Sequence, residues 1–159
     1  MTRALKFVGT AKQLQTCLEP YKRVLGVVVR DTCVSLSVSN HINTLAEPLP
    51  GLMLRQGEIP EASLRRILAK SNLVGADGDV GALVLGAERM NDSKLQGTQE
   101  RAIGVLSSVL PGGLPAMVHD KWEVAMPPSP RLDPGTCPTC GQAFLQHFLD
   151  SWGELNTFG

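Results

Sequence analysis

Residues 23–50 read RVLGVVVRDTCVSLSVSNHINTLAEPLP, and this stretch decides the fold. Val24, Leu25, Val27, Val28 and Val29, with Gly26 among them, make a run free of polar side chains. A short run without polar alternation predicts a strand over 23–29 that is covered on both faces, at the centre of a sheet. Arg30 and Asp31 predict a tight turn. From 32 to 39 the pattern alternates, with Val34, Leu36 and Val38 on one face and Cys33, Ser35 and Ser37 on the other, which predicts a second strand. A short third strand is expected over 43–46. It should stop before Pro48, because proline has no amide hydrogen to give to a ladder.

Upstream, Thr10 is a candidate cap for a helix over 11–19 with Leu14, Cys17 and Leu18 on one face, ended by Pro20. Residues 1–21 read as an N-terminal extension to a core of 22–125. Downstream, 47–59 is rich in proline and glycine and reads as a loop. A helix over 60–71 is expected to open with Pro60 and to turn Leu64, Ile67 and Leu68 inward. Residues 72–80 read as a loop, 81–86 (GALVLG) as a short buried strand, and 87–97 as a polar loop. Thr98 is a candidate cap for a helix over 98–110 with Ile103, Leu106 and Leu110 as its core stripe. Gly112 and Gly113 end it, and 114–119 is the next strand. A proline-rich linker over 126–140 leads into a last helix, 141–152, where Phe144, Leu145, Phe148 and Leu149 recur at helical spacing. Residues 153–159 read as a tail. A strand meander followed by alternating helices and strands implies an α/β protein: a mixed sheet, three strands antiparallel and the rest parallel, with helices on its faces.

The chain has 159 residues, 43% hydrophobic and 19% charged, which suits a single globular domain with a sizeable core. Fifteen basic residues balance fifteen acidic ones. Binding to phosphate backbones draws most of its affinity from counterion release and usually shows as a basic excess or stripe. None is visible, so nucleic acid is not the favoured partner. No apolar run reaches the roughly 20 residues that span a bilayer. A secretory leader is not expected either. Arg3, Lys6 and Lys12 precede the first acid, Glu19, a bias shared with organellar targeting segments; a mitochondrial or other organellar location is expected, with the cytoplasm as the alternative.

The opening run, ending in AEPLP, resembles that of the YqgF/RuvX family of RNase H-like proteins, related to Holliday junction resolvases. VLGAERMNDSKLQGTQERAIGVLSSVL is similar to that family's second core block, PAMVHDKWEVA to the stretch holding its Asp-Glu-Arg motif, and AFLQHFLDS to its last helix. The resemblance implies an RNase H-like fold and metal-assisted phosphodiester hydrolysis, in which carboxylates hold hard divalent cations that activate water. It also implies where those carboxylates should stand, and there this chain departs from the pattern. The first acid, at the end of the first core strand, falls on Val28. In the second motif Asp120 keeps the aspartate, but Lys121 replaces the glutamate. The third acid falls near Cys137. Asp31, Glu88 and Asp133 stand near these places, but three residues along a strand is about 10 Å. No catalytic residue is therefore expected: Val28, Asp120, Lys121 and Cys137 are degenerate positions.

CPTCG at 137–141 is the sharpest remaining local motif. Two cysteines separated by two residues and followed by glycine have the shape of half a zinc knuckle. Cys137 and Cys140 are the candidate zinc ligands, with Cys17, Cys33, His41, His119, His147 or a partner completing the set. A redox dithiol and plain reduced thiols are the alternatives. No other cofactor is expected. His41 and His119 fall at strand ends with no nucleophile motif around them, and a packed or solvated role is the expectation. GADGDVG at 75–81 lacks the Lys-Ser/Thr of a phosphate loop and precedes a strand. Trp122 and Trp152 are candidate interface anchors. Together these readings give the expected function: a non-catalytic RNase H-like domain, a pseudonuclease, acting as a structural or scaffolding subunit among the proteins of a larger assembly. The alternatives are a metal-dependent nuclease that processes ribosomal RNA precursors or branched nucleic acid, and a zinc-binding adaptor built on the CxxC pair.

Overall fold

The computed structural model describes residues 5–29, 33–75, 78–87, 93–119 and 142–150, with the side chains of 87 and 93–99 left out of the description. Six strands form one sheet: β1 (Lys6–Phe7), β2 (Arg23–Val29), β3 (Cys33–Ser39), β4 (Ala46–Met53), β5 (Val80–Ala87) and β6 (Pro115–Val118). Their spatial order is β1-β6-β5-β2-β3-β4. β2, β3 and β4 pair antiparallel, whereas β5 runs parallel to β2, and β6 parallel to β5 and β1. The five strands β4-β3-β2-β5-β6 thus give the RNase H-like mixed sheet of the α/β class that the sequence predicts.

β2 is the central strand, and from Val24 to Val29 it is buried throughout. Its alternation divides the core. Leu25, Val27 and Val29 join the cluster beneath α2 (Glu61–Lys70) and α3 (Ser93–Val109), with Leu64, Leu68, Ala102 and Leu106. Val24 and Val28 face the opposite cluster, with Leu14 from α1 (Ala11–Cys17) and Phe144, Leu145, Phe148 and Leu149 from a helix over 142–150, here α4. Complete burial of one such side chain contributes roughly 1.5–3 kcal/mol, so four of them hold α4 firmly on the sheet. Small residues let it come close: a Cβ on Gly26 would stand 2.6 Å from Ser37 Oγ and 3.1 Å from Leu145 Cβ.

Four elements differ from the sequence expectation. The third strand does not end before Pro48 but runs from Ala46 through Pro48 and Pro50 to Met53. β4 is an edge strand, so a missing amide hydrogen on its outer side costs no ladder bond. Pro50 also falls in a register irregularity, where Val34 pairs with Leu52 but Leu36 pairs with Leu49. A bulge is the other place a sheet tolerates proline. Residues 6–7 add a short parallel strand that the sequence reading lacks, tied by Lys6 N to Leu114 O and Val8 N to Ala116 O, each 2.8 Å. α3 begins at Ser93, so Thr98 lies inside the helix and does not cap it. α1 ends at Cys17, short of the predicted 19.

Pro60 takes the N-cap position of α2. Thr10 does cap α1, through a capping box described below. The turn at Arg30 and Asp31, the linker and the tail lie outside the described residues, as do Trp122 and Trp152.

Candidate functional site

The carboxyl ends of the parallel strands β2, β5 and β6 are where a mixed sheet of this order offers a site. One row of residues crosses the sheet there. Ser35 pairs with Val28, and Val28 with Gly86. Leu85 pairs with Val118 in β6, and the next residue, His119, donates its backbone N–H to Leu85 O at 2.8 Å. Strands lie about 4.8 Å apart, which puts His119 on the order of 10 Å from Val28.

α4 covers this row. Val28 is wholly buried in the cluster that contains Phe144 and Phe148. A Cβ on Gly86 would strike the Phe144 ring. His119 is only 5% exposed, and its ring centroid lies 5.6 Å from that of Phe144 and 5.4 Å from that of Phe148, edge-on to the latter. Its Nε2 stands 2.9 Å from Nδ1 of His147, which α4 supplies from a half-buried position. The place that the family resemblance reserves for a metal-holding carboxylate is therefore filled with hydrocarbon and bordered by two imidazoles.

A second polar cluster occupies the opposite end of the sheet. Arg23 opens β2, and Asp79 immediately precedes its parallel neighbour β5. Arg23 Nε lies 2.9 Å from both carboxylate oxygens of Asp79, Arg23 Nη2 also donates to the carbonyl of Ser71, and His41 Nε2 lies 2.6 Å from Asp79 Oδ2. Burial of the Asp79 carboxyl raises its pKa, but the Arg23 and His41 hydrogen bonds and their charges outweigh that and hold it below the usual carboxylate range. His41 sits in a loop over 40–45 that orders itself. Asn40 Oδ1 accepts the backbone N–H of Thr44 at 2.8 Å and of Leu45 at 3.2 Å, and Asn43 takes φ 56°. The imidazole of His41 remains 58% exposed. Arg23 and Asp79 read as a structural clasp between two strand starts. No serine, threonine or cysteine is hydrogen-bonded to His41 among the described contacts.

Of the positions singled out in the sequence, Val28 is placed at the carboxyl end of the central strand, under α4. Asp120, Lys121, Cys137 and Cys140 lie outside the described residues, as do Asp31, Glu88 and Asp133. Cys17 is a free thiol, whereas Cys33, buried at the start of β3, is disulfide-bonded and offers no thiolate to a metal. Among the described residues no three His, Cys, Asp or Glu side chains converge on a point that could hold one ion. The sequence reading missed two associations. His119 with His147 and Arg23 with Asp79 are separated by 28 and 56 residues; the docking of α4 on the sheet brings the first pair together, and the strand order the second. A signal for the second was present: opposite charges stand at the starts of two apolar strands that the topology places side by side.

Neither a family model nor a curated protein matches the chain. No described helix is long and apolar enough to cross a membrane.

Proposed function

We propose that this protein is a non-catalytic RNase H-like domain, a pseudonuclease, that serves as a structural subunit of a larger assembly. The observation that carries the reading is the state of Val28. At the carboxyl end of the central strand its aliphatic side chain is fully buried beneath Phe144 and Phe148. Two-cation hydrolysis needs hydrated ions held by oxygen ligands. An isopropyl group supplies no ligand atom, and Val28 packs in one buried cluster with Phe144 and Phe148. The balance of fifteen basic and fifteen acidic residues supports protein partners over nucleic acid.

The deciding experiment incubates the full chain with Mg²⁺ or Mn²⁺ and structured RNA or branched DNA. No cleavage is expected. Cleavage that Asp120→Ala abolishes overturns the proposal in favour of a nuclease. The assembly is tested separately by affinity purification from cells at native expression: the chain should elute with protein partners at fixed stoichiometry, and elution as a lone monomer counts against it.

A further inference from the structure

We propose that α4 plugs the edge of the sheet: Gln142 and Gln146 hold the outward main-chain groups of β4 through which a second copy of this chain would otherwise pair. The inference goes beyond the non-catalytic reading and does not depend on it. β4 is the last strand of the described sheet, and an edge strand presents N–H and C=O groups that another strand can join. The pairing with β3 fixes which groups those are. Asn40 donates its backbone N–H to Leu45 O at 2.9 Å, so Leu45 turns its main chain inward. Successive residues of an antiparallel ladder alternate, so Glu47 and Leu49 also turn inward, and Ala46 and Pro48 turn outward.

Two side chains of α4 meet those outward groups. Ala46, itself buried, gives its N–H to Gln146 Oε1 at 2.9 Å, and its carbonyl accepts from Gln142 Nε2 at 3.2 Å. Gln146 Nε2 also donates to Thr44 O and to Asp150 Oδ1, each at 3.0 Å. A carboxamide carries both a donor and an acceptor, so Gln146 engages the main chain as one residue of an added strand would. The spacing agrees: four helical residues rise about 6 Å and two strand residues about 6.6 Å, so one glutamine meets each carbonyl. Pro48 has no N–H to offer. The outward N–H groups over 46–48 are thus held or missing.

The occupant that this edge fits is a second copy, because the main-chain groups of Ala46 are self-complementary. Two β4 edges brought together antiparallel about a two-fold axis at Ala46 exchange both bonds, N–H to C=O in each direction, as in the bonded pair of an antiparallel ladder. Pro48, two residues on, gives only its carbonyl and confines the pairing to this centre. Leu45, 61% exposed beside it, adds apolar surface. With the glutamines in place both groups of Ala46 are already satisfied, so α4 acts as an autoinhibitory strap on this edge.

The test compares the full chain with its Q142A/Q146A variant by sedimentation equilibrium, with circular dichroism to show that each is folded. The variant should self-associate at least about tenfold more tightly than wild type, the gain that two freed hydrogen bonds supply. Adding Ala46→Pro, which removes the N–H at a position where the main chain faces out, should abolish that gain. A folded variant that associates no more tightly than wild type overturns the proposal. So does association that Ala46→Pro leaves intact, because it would run through another surface and not the edge. If the variant does not fold, hydrogen exchange of the wild-type chain decides. An Ala46 amide slowed at least about tenfold relative to a free peptide supports the plug, and one that exchanges at the free-peptide rate overturns it.

Discussion

The ring of Phe144 occupies the space into which any side chain at Gly86 would project. A Cβ there would fall against Phe144 Cε1, with Cζ at 2.8 Å and Cδ1 at 3.2 Å. Gly86 is therefore required by packing and not by backbone conformation. Gly86→Ala should cost about 1–3 kcal/mol, the usual penalty for an extra methyl group in a filled core. Urea unfolding should show a lower midpoint at unchanged slope. In a Phe144→Leu background the same substitution should cost less, because the aromatic edge that it strikes is gone.

Val28→Asp restores the acid that the family resemblance leads one to expect, and it should fail to restore catalysis. The new carboxylate would enter an apolar cluster with Val24, Val84, Phe144 and Phe148 around it. Burial of an unpaired carboxyl costs several kcal/mol unless it stays protonated. A loss of at least about 3 kcal/mol is expected, with no Mg²⁺-dependent cleavage of RNA or branched DNA. Val28→Ala should cost less, roughly 1–3 kcal/mol from lost burial and a small cavity. Both are read by denaturant unfolding alongside the nuclease assay.

The unbroken apolar run of Val24–Val29 marks a strand covered on both faces because such burial leaves no reason for polar alternation, and β2 is central. Alternation places the serines of β3 on one face, yet they are buried: a hydroxyl is small enough to sit beneath a helix, and alternation of polarity alone cannot say which face meets solvent. Pro48 and Pro50 misled the reading of β4, since proline is excluded from a central strand but not from an edge, and edge position is a property of the whole sheet. Lys6 and Phe7 form a strand too short for any period to register. The His119–His147 pair follows from where α4 docks and the Arg23–Asp79 pair from strand order, neither of which a local pattern encodes. The burial of Val28 near the end of β2 is legible, because the apolar run that carries it is unbroken.

Asp79 predicts an acid-sensitive clasp. Its pKa is lowered in the folded protein, so the unfolded chain binds a proton more readily. The stability it contributes is then fully present above the unfolded value of 3.8 and is lost as pH falls through the lower folded value. Asp79→Asn should remove about 1.5–3 kcal/mol at neutral pH, the usual range for hydrogen bonds to a charged group, and should flatten that acid limb. Unfolding free energies measured between pH 2 and 7 in wild type and variant check it. Equal slopes in the two would show that Asp79 does not govern the acid limb.

The start of the chain is a docked part of the fold. Leu5 and Leu14 are buried, β1 pairs with β6, and α1 lies on the same face as α4. α1 has only seven residues and would not persist without its cap and its core contact. That cap is reciprocal: Thr10 Oγ1 accepts the Gln13 backbone N–H at 3.2 Å, and Gln13 Oε1 accepts those of Gly9 at 2.9 Å and Thr10 at 3.2 Å. Thr10→Ala should cost about 0.5–2 kcal/mol and Thr10→Ser much less. If this cost falls on local opening of 5–18 before global unfolding, hydrogen exchange of the Leu14 and Leu18 amides, bonded to Thr10 O and Leu14 O, should quicken in Thr10→Ala while amides of β2 stay unchanged. Limited proteolysis of the isolated wild-type chain should spare residues 5–18, and the alanine variant should be cut there first. Early cleavage of the wild type in this segment would mean that its docking needs a partner subunit, and that the contacts of Leu5 and Leu14 are insufficient alone.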